Sequence, residues 1–340
     1  MIRFFANANY DFIGYRKIAY LVSALLVIPG LLLLLIQGPN YSIEFTGGTL
    51  VQVRALSDTI DVGEVRQALT SGGFGGAEIN EFGARNEFVV RARLAGIADT
   101  TEAGAQRVAV EVSGALERAF GPNSFSLQRR ETVGPKVGGE LRTKAVIAVV
   151  LSFLAVLVYL AFRFEWRVSL AAVVATTYDI FATLAFIQYL RLEVSLIIVS
   201  GILTVIGYSL NDKIVVFDRL RENLHKYKRD DFAGILNRSV NETLPRTVLT
   251  GGTALTALLT MAIFSGPVLR PFALVMIFGI ISGTFSSIYI GSPVLLWIEQ
   301  KWPGQDARGV KARVMPAGQL VPTPEPPIEP PRRSRKAPVS

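Results

Sequence analysis

Six long apolar runs punctuate the chain. Ala19 to Ile36 is almost unbroken, with Ser23 its only polar side chain and Pro29-Gly30 marking a kink. Ala145–Phe162 is as apolar, interrupted by Ser152 and Tyr159; further runs cover Val168–Leu190, Val194–Phe217, Thr247–Phe264 and Pro271–Ile298. A helix needs about 20 mostly apolar residues to cross a ~30 Å hydrocarbon layer. The runs therefore predict six transmembrane helices, at 19–38, 143–163, 168–190, 194–217, 246–265 and 271–298. Buried helices of a large soluble protein are the competing reading, but runs this long and charge-poor are rare there. The first run is also too long for a cleaved signal peptide, and Gln37-Gly38-Pro39-Asn40 offers no small-x-small site.

Between the first two runs, residues 39–142 change period. Arg85–Leu94 alternates, with Phe88, Val90 and Ala92 on one face and Val89, Arg91 and Arg93 on the other, as a half-buried strand does. Asp61–Thr70 repeats apolar residues at Val62, Val65 and Leu69, and Thr101–Phe120 at Val108, Val112, Leu116 and Phe120, both at helical spacing. With strand-like Ser42–Val53 and Ser124–Thr132, the order is strand, helix, strands, helix, strand. The expected fold is an α-helical polytopic membrane protein carrying one small α+β, ferredoxin-like domain between helices 1 and 2. The glycines of Gly72–Gly76 read as a turn, since no Gly-Lys-Ser/Thr follows to make a phosphate loop.

Composition agrees with this reading. Half of the 340 residues are hydrophobic and only 18% are charged, against roughly 25% in soluble domains. The absence of cysteine excludes disulfides, thiolate metal sites and a Cys nucleophile, and a single histidine, His225, leaves no material for a His-based zinc site or a Ser-His-Asp triad. No metal or cofactor site is expected. The formal charge of +8 raises nucleic acid or a membrane as its cause. Six spans place both termini on one side. That side carries Arg3, Arg16, Lys17, Arg163, Arg167, the basic residues of 218–245 and those of 299–340, whereas the short turns opposite hold only Arg191 and Arg270. The positive-inside rule then predicts cytoplasmic termini, an extracytoplasmic 39–142 domain, and no role in nucleic-acid binding. The tail after Gln305, polar, basic and rich in proline, reads as disordered.

An ionisable residue inside a span is a functional-site hypothesis by default. Asp179 sits near the middle of the third run with Ala172, Thr176 and Thr183 at helical spacing, so it faces a packed bundle. A functional acid and a neutral carboxyl gluing helices are both open. In the fourth run, Asn211-Asp212-Lys213 falls in the cytoplasmic half; Lys213 has the length to snorkel to the interface, whereas Asp212 has not. Asp212 is favoured as functional, and Asp218, Arg219 and Arg221 as an interfacial cluster. The fifth span is expected to begin at Pro245-Arg246, with Thr250, Thr253 and Thr260 close to Arg246 on the helical wheel. Such a stripe lines a wet path or glues helices. One or two acids and an arginine on different helices are the minimum for proton-coupled movement. A carboxylate paired with arginine stays ionised, and one that loses that partner in low dielectric takes up a proton.

Three blocks carry a family resemblance: Phe45-Thr46-Gly47-Gly48-Thr49; Gly134-Pro135 through Gly138-Gly139-Glu140-Leu141; and Gly207–Asp212 continuing through Val215–Arg219, with Leu244–Thr247 and Gly266–Leu269 in agreement. In them the chain resembles the SecF family, the smaller membrane subunits of the bacterial SecD–SecF protein-export complex, relatives of the resistance-nodulation-division transporters. The resemblance implies a subunit without covalent catalysis in the bacterial inner membrane. Its partners would be SecD, supplying six further spans and another aspartate, the SecY-E-G channel, and an unfolded polypeptide whose export is helped by proton flow. It implies that Asp212 and Arg246 lie on the proton path, to which the reading of the residues adds Asp179 as a candidate and Asn211, Thr250 and Thr253 as a supporting polar stripe. Two departures stand out. Lys213 occupies a position where a small hydroxyl residue is more usual, and Tyr178 replaces a frequent histidine. The competing readings are a purely structural translocon subunit and a small-molecule exporter of the wider superfamily.

Overall fold

The computed structural model describes residues 9–57, 60–75, 77–81, 86–92, 102–227, 230–266 and 268–302. The Pro-rich tail, Arg3, the ends of the Arg85–Leu94 strand, Gly76 and Pro267 lie outside these residues.

The sheet domain follows α1 (Arg16–Gln37) and one helical turn, α2 (Ile43–Thr46). Its elements are β1 (Gly48–Ala55), α3 (Val62–Ser71), β2 (Glu78–Glu81), β3 (Glu87–Ala92), α4 (Glu102–Phe120) and β4 (Phe125–Val133). The strands pair in the order β2-β3-β1-β4, every pair antiparallel. This is the βαββαβ order of a ferredoxin-like fold. Alternation places Val51, Val53, Phe88, Val90 and Ala92 against Val65, Leu69, Val112 and Leu116 of the two helices in one core. Asp61 caps α3, accepting from the Gly63 amide at 3.0 Å, while Glu64 accepts from the Asp61 amide at 3.2 Å.

The reading of Ser42–Val53 as one strand is corrected. Ile43 and Phe45 are both buried, which imitates a period of two, but the Gly47 amide bonds back to the Ile43 carbonyl at 2.8 Å and closes a helical turn. Gly47 at φ +71° then redirects the chain into β1.

Among the described residues, six helices are long and apolar enough to span a membrane: α1, α5 (Pro135–Arg163), α6 (Trp166–Tyr189), α7 (Leu196–Lys226), α8 (Phe232–Phe264), and α9 (Arg270–Ser286) continued by a π-turn (Ser287–Gly291) and α10 (Ser292–Lys301). The π-turn precedes Pro293, whose ring can donate no amide to the ladder. The segment 218–245, which the predicted spans leave as a cytoplasmic loop, is largely helical, and Pro245 lies inside α8 rather than in its first turn. The reason is tertiary. Phe232, Ile235, Leu236 and Val240 of α8 share a core with Phe217, Leu220 and Leu224 of α7. Burying each such side chain is worth about 1.5–3 kcal/mol, which together outweighs the ~3 kcal/mol cost of an interior proline.

Helices α7 and α9 form the middle of the bundle. Close approach depends on glycine: a methyl at Gly279 would fall 2.1 Å from Val205, and one at Gly283 2.7 Å from Ser209 Oγ. Gly30 lets α1 meet Ala185 of α6 in the same way. Helices α5 and α8 are left largely uncovered on their outer faces.

Candidate functional site in the helix bundle

Among the described residues, two acids are buried within the predicted spans, and a third, Glu299, is buried just past the end of the sixth. Asp179 on α6 is fully buried and accepts from Lys213 Nζ at 2.5 Å and from Ser209 Oγ at 2.5 Å, both on α7. Ser209 and Lys213 stand one turn apart on the same face, and Lys213 also bonds Ser209 Oγ at 2.5 Å. Thr183 fixes the local backbone by donating to the Asp179 carbonyl at 2.7 Å. The expectation that Lys213 snorkels is overturned, because its ammonium is fully buried. Helical side chains lean toward the helix N-terminus, so Lys213 reaches back over Ser209, away from the nearer interface, and finds a carboxylate there.

Asp212, the neighbour of Lys213, points elsewhere. It is 4% exposed, and its contact is the hydroxyl of Thr284 on α9, which donates at 2.9 Å. The carboxyl feels the positive charges of Lys213 and Arg246 and the negative charge of Asp179. Neither cation forms an ion pair with it among the described residues. Arg246, Asn211, Thr250 and Thr253 all lie on exposed surface. The threonine hydroxyls bond their own helix: Thr250 donates to the Arg246 carbonyl at 2.9 Å and Thr253 to that of Thr250 at 2.9 Å. The structure thus brings Asp212 and Asp179 into one buried polar centre and leaves Arg246, Thr250 and Thr253 on the open face of α8 and Asn211 on an exposed face of α7.

Sequence reasoning missed Ser209 and Thr284, and missed that Lys213 and Asp179 are partners. The available signal was the short turn between α6 and α7, which makes the two helices antiparallel neighbours. Two members of the interfacial cluster are paired, Asp218 with Arg163 at 2.6 and 2.7 Å and Arg219 with Glu242 at 2.7 Å and Glu222 at 2.5 Å, whereas Arg221 forms no ion pair among the described residues.

The sheet domain is fastened to the α6–α7 turn. The Ser42 amide donates to the Val194 carbonyl of that turn at 3.0 Å, and the Val194 amide donates to the Asn40 carbonyl at 2.7 Å. Glu44 accepts from the Leu196 amide at 2.5 Å, at the first turn of α7, where a carboxylate meets the positive end of the helix dipole. Arg91 of β3 forms an ion pair with Glu193.

Fold and site together define a polytopic membrane protein that holds ionisable side chains between its helices. Comparison with known proteins specifies the class. Residues 112–301 match the C-terminal region of the protein export membrane proteins SecD and SecF, and residues 32–55 match the SecD/SecF GG motif. Protein translocase subunit SecF of Gemmatimonas aurantiaca is 46% identical over 95% of this chain and 97% of its own length. SecF of Escherichia coli O157:H7 is 37% identical over 86% and 88%. The solved SecDF of Thermus thermophilus, a translocon-associated membrane protein, is 35% identical and superposes with a TM-score of 0.76, covering 86% of this chain. A SecDF in a super-membrane-facing form gives 0.63 over 87%. This chain spans 39% of the first SecDF chain and 40% of the second. The chain belongs to the SecD/SecF family, on the SecF side, as a multi-pass inner-membrane accessory subunit of Sec protein translocation.

Proposed function

We propose that this chain is one half of a proton-driven export motor. Partnered by a SecD subunit supplying the other six spans, it uses the proton motive force to help complete the movement of unfolded polypeptides delivered by the SecY-E-G channel. No covalent step is involved. The observation carrying this reading is the difference between the two buried acids: Asp179 is locked by a contacting ammonium, while Asp212 holds only a threonine hydroxyl. A carboxylate in low dielectric without a contacting cation is the one that exchanges a proton. Asp212 is the carrier, and Arg246 is the counter-charge that approaches or leaves it. Asn211, Thr250 and Thr253 are the polar wall of the path, completed by the partner against the open face of α8. Each proton crossing releases about 2.3 kcal/mol per 100 mV. Both termini face the cytoplasm and the sheet domain faces outward, where its attachment at the head of α7 transmits the change.

Asp212→Asn in membrane vesicles, at unchanged subunit levels, is expected to abolish proton-driven export. Full activity in that variant would remove Asp212 from the path. A second reading, in which buried polar groups only hold helices together, is favoured for one pair alone, Asp179 with Lys213, whose charges touch inside the bundle.

A further inference from the structure

At the end of the bundle away from the sheet domain, a cavity of about 310 Å³ opens between the α5–α6 turn, α7, the start of α8 and α10. Its size lies at the lower end of the ~300–1,000 Å³ typical of small-molecule sites. Its floor is apolar, built from Phe164, Val168, Phe217, Leu220, Leu224 and Leu295. Its rim is charged, and most of that charge is already spent. Arg163 is held by Asp218, and Arg167 by Glu299 at 2.9 Å, with the remaining rim acid, Glu165, 3.3 Å from Arg167. Arg221 lines the same cavity, is exposed, and has no ion pair among the described residues.

The depth of the cavity is marked by tryptophan. The chain has three, and all lie at this end. Trp166 and Trp297 each pack edge-on against Trp302, at 6.4 and 5.9 Å between ring centroids, and Lys301 Nζ sits 4.7 Å over the Trp302 ring. The guanidinium of Arg167, a rim residue, lies 5.9 Å from the Trp166 ring. Tryptophan and tyrosine concentrate at headgroup level, where an apolar ring and a polar edge both find their medium. The mouth of the cavity is therefore at the headgroup layer.

We infer that this cavity binds an anionic phospholipid of the leaflet on that side, its acyl chain along the apolar floor and its headgroup against Arg221. The inference is independent of the proton path, because none of these residues belongs to it.

The test is tryptophan quenching of the full chain in vesicles, since Trp166 stands between the rim residues Glu165 and Arg167 and the other two tryptophans follow from it in ring contact. Brominated-chain phosphatidylglycerol and brominated-chain phosphatidylcholine are each titrated at low mole fraction into an unbrominated zwitterionic host. The expected result is an apparent preference for the anionic lipid of about fivefold, the worth of one cation near the surface. Arg221→Lys should keep that preference and Arg221→Gln should abolish it. Equal quenching by the two lipids in the wild-type chain overturns the proposal, as it would if the occupant were an acidic peptide. A preference that survives Arg221→Gln unchanged overturns it as well.

Discussion

Asp179 and Asp212 are the same chemical group at nearly the same burial, and they differ in their neighbours. Asp179 and Lys213 are both fully buried and in contact. Such a pair gains little over an apolar replacement, but removing one member strands a charge and costs about 3–5 kcal/mol. Lys213→Met should therefore destabilise the purified chain by about that amount in thermal unfolding, whereas the double variant Asp179→Asn with Lys213→Met should recover most of the loss. If the double variant proves no more stable than Lys213→Met, the two side chains are not coupled. Asp212→Asn retains an oxygen able to accept from Thr284 and is expected to change stability by less than ~1 kcal/mol while removing proton-driven export. Both acids were legible in the sequence because a carboxylate inside an apolar run is conspicuous. The partner of Asp179 was not. Pattern arguments follow one helix, and the Lys213–Asp179 contact depends on which way a long side chain leans between two.

At the level of elements, the two glycine blocks that flank the sheet domain meet each other. A methyl at Gly138 in the first turn of α5 would lie 3.0 Å from the Gly47 amide nitrogen and 3.2 Å from the Phe45 carbonyl. Both are backbone atoms and cannot rotate aside. Gly139 next to it has nothing within 4 Å. Gly138→Ala should cost about 1–3 kcal/mol as overpacking and show as faster proteolysis at the neck of the sheet domain. Gly139→Ala, an ordinary glycine-to-alanine change within a helix, should be neutral or stabilise by up to ~1 kcal/mol. Equal behaviour of the two would mean that the neck is not closely packed. The spans and the βαββαβ order were readable because apolar runs and period-two alternation are local signals. The helical segment 218–245 was hidden, since its apolar residues are spaced among Arg, Glu and Asn and declare themselves only against α7. Proline at 245 pointed to a helix start because propensity cannot see that burial.

Across the whole molecule, α7 is one direct route between the buried polar centre and the sheet domain. Asp212 and Lys213 sit on α7, and the first turn of α7 is held by Glu44 and, through the preceding turn, by Arg91 of β3. From Leu196 to Asp212 is 16 helical steps, about 24 Å at 1.5 Å each. In the proposed motor, a rigid helix of that length would carry a tilt or rotation at the acid to the base of the domain without any flexible relay. The Arg91–Glu193 pair is well placed to act as the clasp, because the arginine side chain is only 8% exposed and a charge so enclosed is costly to leave without its partner. Arg91→Glu should release the domain, seen as faster hydrogen exchange in the α6–α7 turn and the first turn of α7, and should lower export while leaving the Asp212 region folded. Exchanging the charges, Arg91→Glu with Glu193→Arg, should restore both, with a coupling energy of about 0.5–3 kcal/mol in the double-mutant cycle. If Arg91→Glu frees the turn yet export continues unchanged, the domain need not be held to α7 for the motor to work, and coupling must run through the glycine neck at Gly47 and Gly138 instead.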